Sequence, residues 1–284
     1  MPLDHSFEIF DIHQHVGSTG DAHGLVHEGQ KSGADLVDSE VINRLAFMDD
    51  VGIRKSVAIP GHHYNRAEGI RSTMAQNDAI ARYRDANPAH FPIAVGIVEP
   101  LDQQAAVDEV VRIATELKLQ AVSFHTEFQA VTMDSPWMMK ILEKMFEVGL
   151  VPLLHSSNVV LHEALWRLAK VARAFPDQTI VALEPFYTFD NIQQCELIAE
   201  IAPNVLFDTA STAVIGPMID LIRTIGADRV VFGSQYYSTT TAYGANPLTP
   251  YGKIVAQSII ATDKLSNQDK AAVLGGNGRR VFGV

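Results

Sequence analysis

The chain has 284 residues, a length that suits two ordinary domains or one α/β barrel of about 250 residues. Its 22 Lys and Arg against 33 Asp and Glu give a net charge of −11, so a nucleic-acid partner lacks its electrostatic footprint. The 47% of hydrophobic residues excludes a disordered chain.

No stretch approaches the roughly 18 apolar residues of a membrane span. The opening Met1-Pro2-Leu3-Asp4-His5 has neither the basic nor the apolar region of a secretory signal. The single cysteine, Cys195, cannot form an internal disulfide, so a reducing, cytoplasmic setting is expected. Its thiol reads as a small apolar group on a helix rather than a nucleophile.

Short apolar, β-branched runs recur along the chain. In order they are Phe7–Ile12, Ser56–Pro60, Phe91–Val98, Ala121–His125, Val151–His155, Ile180–Glu184, Val205–Asp208 and Arg229–Gly233. Near-continuous apolar runs suit parallel strands covered on both faces. Between them lie helix signals. Asp102 opens a stretch in which Ala106, Val110, Ile113 and Leu117 recur at three- and four-residue steps. Ser135-Pro136 supplies a cap and a first-turn proline for a helix ending near Gly149. Ser266 with Asp269 forms a capping-box pattern. Eight strands alternating with helices predict a single (β/α)8 barrel over residues 1–284, with a doubly wound open sheet as the competitor. One long insertion, residues 17–39, follows the first strand and is expected at the barrel mouth.

Barrel enzymes carry their chemistry where strands end. The first strand ends Asp11-Ile12-His13-Gln14-His15, and strict alternation would turn Asp11, His13 and His15 inward, Ile12 and Gln14 outward. Two imidazoles side by side resist protonation together, and a shared divalent cation is the commonest reason for such a pair. His155 closes an apolar run and reads as a third ligand. His125 reads equally as a ligand, a substrate contact or a satisfied core group. Asp208 suits a site role or a hydrogen bond to a neighbouring loop. Arg66 and His62, after the second strand, are candidate substrate-binding residues, Arg66 as a carboxylate clamp or as an ordinary loop arginine. Tyr236, Tyr237 and Tyr243 would form an aromatic wall. His23 and His27 lie in the long insertion and read as surface polar groups.

Phe10-Asp11-Ile12-His13-Gln14-His15, Leu153-Leu154-His155, Phe232-Gly233-Ser234 and the closing Leu274-Gly275-Gly276-Asn277-Gly278-Arg279-Arg280-Val281-Phe282-Gly283 resemble the amidohydrolase superfamily. The resemblance is to the amidohydrolase-related branch containing aminocarboxymuconate-semialdehyde decarboxylase and pyrone-dicarboxylate lactonase. It implies a barrel with one divalent metal, usually zinc, held by the paired histidines, the fifth-strand histidine and an eighth-strand aspartate. That aspartate usually orients or deprotonates the nucleophilic water, and a sixth-strand histidine assists. The resemblance also implies a small-molecule substrate and a homodimer as a common assembly.

Two departures stand out. Gln235 occupies the eighth-strand aspartate position, and Glu184 lies around the sixth-strand histidine position. An amide cannot accept a proton at neutral pH, so Gln235 cannot be the usual base. Glu184 can both ligate and accept a proton. Either the carboxylate has moved from strand eight to strand six, or Glu184 merely pairs with a basic residue or is misaligned by one or two positions. Three readings follow. The first is a metal-dependent hydrolase of a small lactone, amide or imide, using His13, His15, His155 and Glu184 for the metal and Glu184, Gln235 and His125 for catalysis. The second is a decarboxylase of the same branch. The third is a metal-free lactonase or binding protein.

Overall fold

Nine short strands, all parallel, follow one another around the sheet in chain order in the computed structural model, which describes residues 6–16, 37–61, 66–237 and 251–284. They are β1 (Ile9–Val16), β2 (Ile53–Pro60), β3 (Ile93–Ile97), β4 (Ala121–Phe124), β5 (Val151–His155), β6 (Ile180–Leu183), β7 (Val205–Asp208), β8 (Val230–Val231) and β9 (Tyr236–Tyr237). The last two are halves of one interrupted strand. Between them, the Ile12 amide donates to the Phe232 carbonyl (2.9 Å) and the Gln235 amide to the His13 carbonyl (2.8 Å). β9 then pairs with β1, so the sheet closes into the expected barrel. The eighth strand is shorter than the apolar run suggests, because its ladder breaks around Gly233.

Each crossover carries a helix: α1 (Val37–Val51), α2 (Ile70–Ala86), α3 (Gln104–Thr115), α4 (Pro136–Glu147), α5 (Leu165–Ala174), α6 (Phe189–Ile201) and α7 (Ile215–Ile225). After β9 come α8 (Tyr251–Ala261), α9 (Asn267–Ala271) and α10 (Asn277–Phe282). The caps behave as their residue types predict. Ser135 accepts from the Met138 amide at 3.4 Å, and Ser266 and Asp269 form the reciprocal capping box. α3 starts later than Asp102, because Pro100–Asp102 is a 3-10 turn and Gln103 takes φ +56° before Gln104. Ala106, Val110 and Ile113 are buried along it as the spacing requires. Cys195 is buried in α6, where burial pushes its thiol up, out of reach of nucleophilic work at neutral pH. No helix among the described residues is long and apolar enough to cross a membrane.

The apolar core has two layers. Phe10, Ile12, Val57, Ile59, Val95, Leu153, Val181, Leu183 and Val231 fill the barrel. Alternate strand residues such as Ala58, Ala94, Val122, Leu154, Ala182 and Phe207 pack outward under the helices. The floor is sealed by the chain's last helix. Phe282 joins the inner layer and meets Phe10 with ring centroids 6.5 Å apart. Asn277 donates to the carbonyls of Ala227 and Val230, both at 2.7 Å. Residue 278 must be small there, since a β-carbon would lie 2.8 Å from Ile12 Cγ2 and 2.9 Å from Phe10 Cδ1.

Strict alternation fails on β1. Asp11 pairs with Ser56 but Gln14 pairs with Ala58, so three steps on one strand oppose two on the other. This is a β-bulge. Ile12 therefore stays inside with Phe10, while Asp11 joins Gln14 on the outer face, its Oδ2 accepting from Gln14 Nε2 at 2.8 Å. The expectation that Asp11 shares a face with the histidines and that Ile12 turns outward is corrected: the extra residue resets the alternation, so that of Asp11, His13 and His15 only the two histidines face inward, and Ile12 faces inward as well. Asp11 Oδ1 accepts from the amides of His13 and Ser234, both at 3.0 Å, and so supports the irregular backbone. The insertion expected at 17–39 ends at α1, and residues 17–36 lie outside the described part of the chain.

Candidate metal centre and active site

At the C-terminal end of the barrel three buried histidines converge, His13 and His15 from β1 and His155 from β5, with ligand atoms within 4.8 Å of one another. Each ring is held by its Nδ1. His13 Nδ1 donates to Asp208 Oδ2 (2.6 Å), His15 Nδ1 to the Pro60 carbonyl (3.2 Å) and His155 Nδ1 to the Phe124 carbonyl (2.9 Å). These partners only accept, so every Nδ1 carries the proton and every neutral Nε2 presents a lone pair. His13 Nε2 and His15 Nε2 stand 2.9 Å apart. Two lone pairs at that distance repel unless a cation or an additional proton lies between them. The donor set therefore fits a divalent cation held by imidazole nitrogen.

The charge states agree. Burial holds His15 and His155 well below the ordinary histidine range, and their histidine neighbours push them further down. Burial, the largest influence, acts to lower His13, but the charge and hydrogen bond of Asp208 together with the charges of Glu184 and Asp11 raise this one ring.

Glu184, immediately after β6, points into the mouth. Its Oε1 is 3.6 Å from His155 Nε2 and accepts from Gln235 Nε2, whose own Oε1 accepts from the Ser211 hydroxyl. Burial raises the Glu184 carboxyl to about 7, against the opposing pull of His13. Glu184, Ser211 and Gln235 all sit at positive φ (58°, 54° and 54°). Non-glycine residues in that region cost on the order of 1–3 kcal/mol each, and such strain gathers where side chains must be aimed.

Other sequence-selected residues fall differently. His125, after β4, stacks on His155 with centroids 4.1 Å apart and planes at 15°, and its Nδ1 lies 2.7 Å from Glu163 Oε1. It thus stands beside the histidine trio, and with Glu127 and Glu163 it forms a second close group of potential ligands. Tyr237 stacks on His15 (4.5 Å, 18°), and burial, then the Glu184 charge, raises its hydroxyl well above the ordinary range. Tyr236 points the other way, as neighbours on a strand must. It stacks on Phe47 (4.0 Å, 3°) and donates to the Asn43 carbonyl (3.3 Å), so the two tyrosines do not make one wall. Arg66 is already engaged: it pairs with Asp102, lies 3.6 Å from Glu99 and donates to Thr73 at 3.0 Å. His62, Tyr243, His23 and His27 lie outside the described residues.

The residues missed by sequence reasoning are supporting ones. Buried Arg44 donates to Gln14 Oε1 (3.0 Å) and to the His15 carbonyl (2.5 Å), fixing the end of β1. Glu163 accepts from the Ser157 hydroxyl and the Glu127 amide, both at 3.2 Å. Neither carries a sequence signal: Arg44 is one charged residue among several in α1, and Glu163 lies in a 3-10 turn beside His162.

The profile of the family described as Amidohydrolase matches residues 10–284. No curated protein sequence matches the chain. Among solved structures, 4-oxalomesaconate hydratase from Rhodopseudomonas palustris aligns at TM-score 0.72 and 18% identity, over 97% of this chain and 95% of its own. The 5-carboxyvanillate decarboxylase from Sphingomonas paucimobilis aligns at 0.69 and 18% identity, over 98% and 100%. A 5-carboxyvanillate decarboxylase from Novosphingobium aromaticivorans, complexed with manganese and a nitrobenzoic acid, aligns at 0.69 and 16% identity, over 98% and 97%. At such identities the likeness establishes the barrel fold and no more.

Proposed function

The chain belongs to the amidohydrolase family, and from that premise we propose that it is a metal-dependent hydrolase of a small lactone, amide or imide. The observation that carries this reading is the Glu184 carboxylate, poised 3.6 Å from a histidine of a three-imidazole cluster whose lone pairs face each other. His13, His15 and His155 would hold one divalent cation, zinc in our reading, with Glu184 at its edge. When bound, the cation polarises a carbonyl and acidifies water.

The remaining chemistry belongs to the protein. Glu184 takes a proton from water as the water oxygen bonds to the carbonyl carbon. It returns that proton to the leaving oxygen or nitrogen as the scissile bond breaks. A carboxyl near 7 is suited to both directions of transfer. Gln235 and Ser211 fix its orientation, while Tyr237 and His125 flank the histidines. In this reading residues 1–284 act as one domain.

A second reading, decarboxylation at the same site, is favoured by the decarboxylases among the similar structures, including one with manganese. The test uses protein purified without an affinity-tag metal. Glu184→Gln should lower turnover of a lactone or amide panel about a hundredfold to ten-thousandfold with little loss of metal. Carbon dioxide release without hydrolysis would replace the first reading by the second, and unchanged turnover in Glu184→Gln would remove Glu184 from either.

A further inference from the structure

The three histidines are not supported equally. His15 and His155 lean on neutral carbonyls, those of Pro60 and Phe124, whereas His13 alone leans on a carboxylate. That carboxylate, Asp208, is fully buried at the end of β7, and its other oxygen accepts from the Ala210 amide. The 2.6 Å contact exists because residue 233 has no side chain. A β-carbon on Gly233 would lie 2.8 Å from the β-carbon of His13 and 2.9 Å from Asp208 Oδ2.

We infer that Asp208, given room by Gly233 and acting through His13, is a positioning residue that supplies one of the two negative charges a buried divalent cation needs. This rests on the reading that the three histidines hold such a cation. Three neutral imidazoles and Glu184 would offset only one of its two charges, and uncompensated charge in a buried site is costly. Asp208 provides the second from one ring away. It fixes the Nδ1–H tautomer and makes His13 Nε2 the most electron-rich of the three donors. Supports of this kind are worth about 10–100-fold in metal affinity.

The test titrates the metal-free full chain with Zn2+ alone, and separately with Co2+ as a spectroscopic probe. Asp208→Asn keeps the shape and an acceptor oxygen but removes the charge. It should weaken Zn2+ binding about 10–100-fold and shift the visible band of bound Co2+. Gly233→Ala, which keeps the carboxylate but forces it from His13, should weaken binding in the same direction. If Gly233→Ala fails to fold, Asp208→Asn decides alone. Wild-type affinity in Asp208→Asn overturns the inference while leaving the metal reading intact. So does weaker binding with an unmoved Co2+ band, which would mean that Asp208 only holds the barrel together. Wild-type protein that binds neither ion overturns the metal reading and this inference with it.

Discussion

The two ends of the barrel are built on opposite terms. At the floor, Phe282 and the backbone of α10 press against Phe10 and Ile12, and Asn277 ties the helix to the eighth strand. At the mouth, three imidazoles and two carboxylates are buried together beside a half-buried glutamine, and Glu184, Ser211 and Gln235 hold unfavourable backbone angles. Burying so many ionisable groups is expensive. The floor shows what the fold needs to close, and the mouth shows what it carries beyond that need. A change at one end should therefore leave the property of the other nearly untouched.

The largest effect should come from the mouth. His155→Ala removes one of three neutral donors and should strip stoichiometric metal and take activity to background, while leaving a folded barrel. Metal analysis beside circular dichroism checks this, and full metal content in the variant would separate His155 from the site. A smaller effect comes from pH. As a base Glu184 must be deprotonated, and its carboxyl is raised to about 7. A bound cation draws that value down, so kcat/KM should fall about tenfold per unit below an acid limb lying at or under about pH 7. A pH profile with no acid limb above pH 4 would break the assignment. The smallest belongs to the floor. Gly278→Ala gains about 1 kcal/mol of helix propensity but overpacks Ile12 and Phe10, at a cost of about 1–3 kcal/mol. Thermal melting should show a modest loss of stability, with metal content and activity per folded molecule unchanged. Loss of metal in this variant would mean that the two ends are coupled.

Much of this was legible in the sequence, and the exceptions have physical causes. The strands announce themselves because parallel strands covered on both faces need unbroken apolar runs. The tail motif is legible for the same reason, as packing. Asp11 was misplaced because a period of two assumes no bulge, and one additional residue on β1 reverses every face after it. Glu184 and Gln235 could be singled out by type, but their contact, made by strands β6 and β8, is a tertiary fact. Arg66 could be read as a carboxylate clamp or as an ordinary loop arginine because nothing local shows that Asp102, 36 positions away, is its partner. Asp208 offered two uses of equal standing, and the structure gives it both, one oxygen to His13 and one to Ala210.

The three left-handed residues at the mouth carry a consequence for how this chain can change. At Glu184, Ser211 and Gln235 a glycine would relax the backbone and remove a link from the chain of hydrogen bonds that aims the carboxylate. Selection for heat resistance alone would thus favour glycine where selection for turnover forbids it. A thermostability screen blind to activity would accumulate its first gains at these three codons, and the proteins it enriched would be durable barrels with their carboxylate adrift.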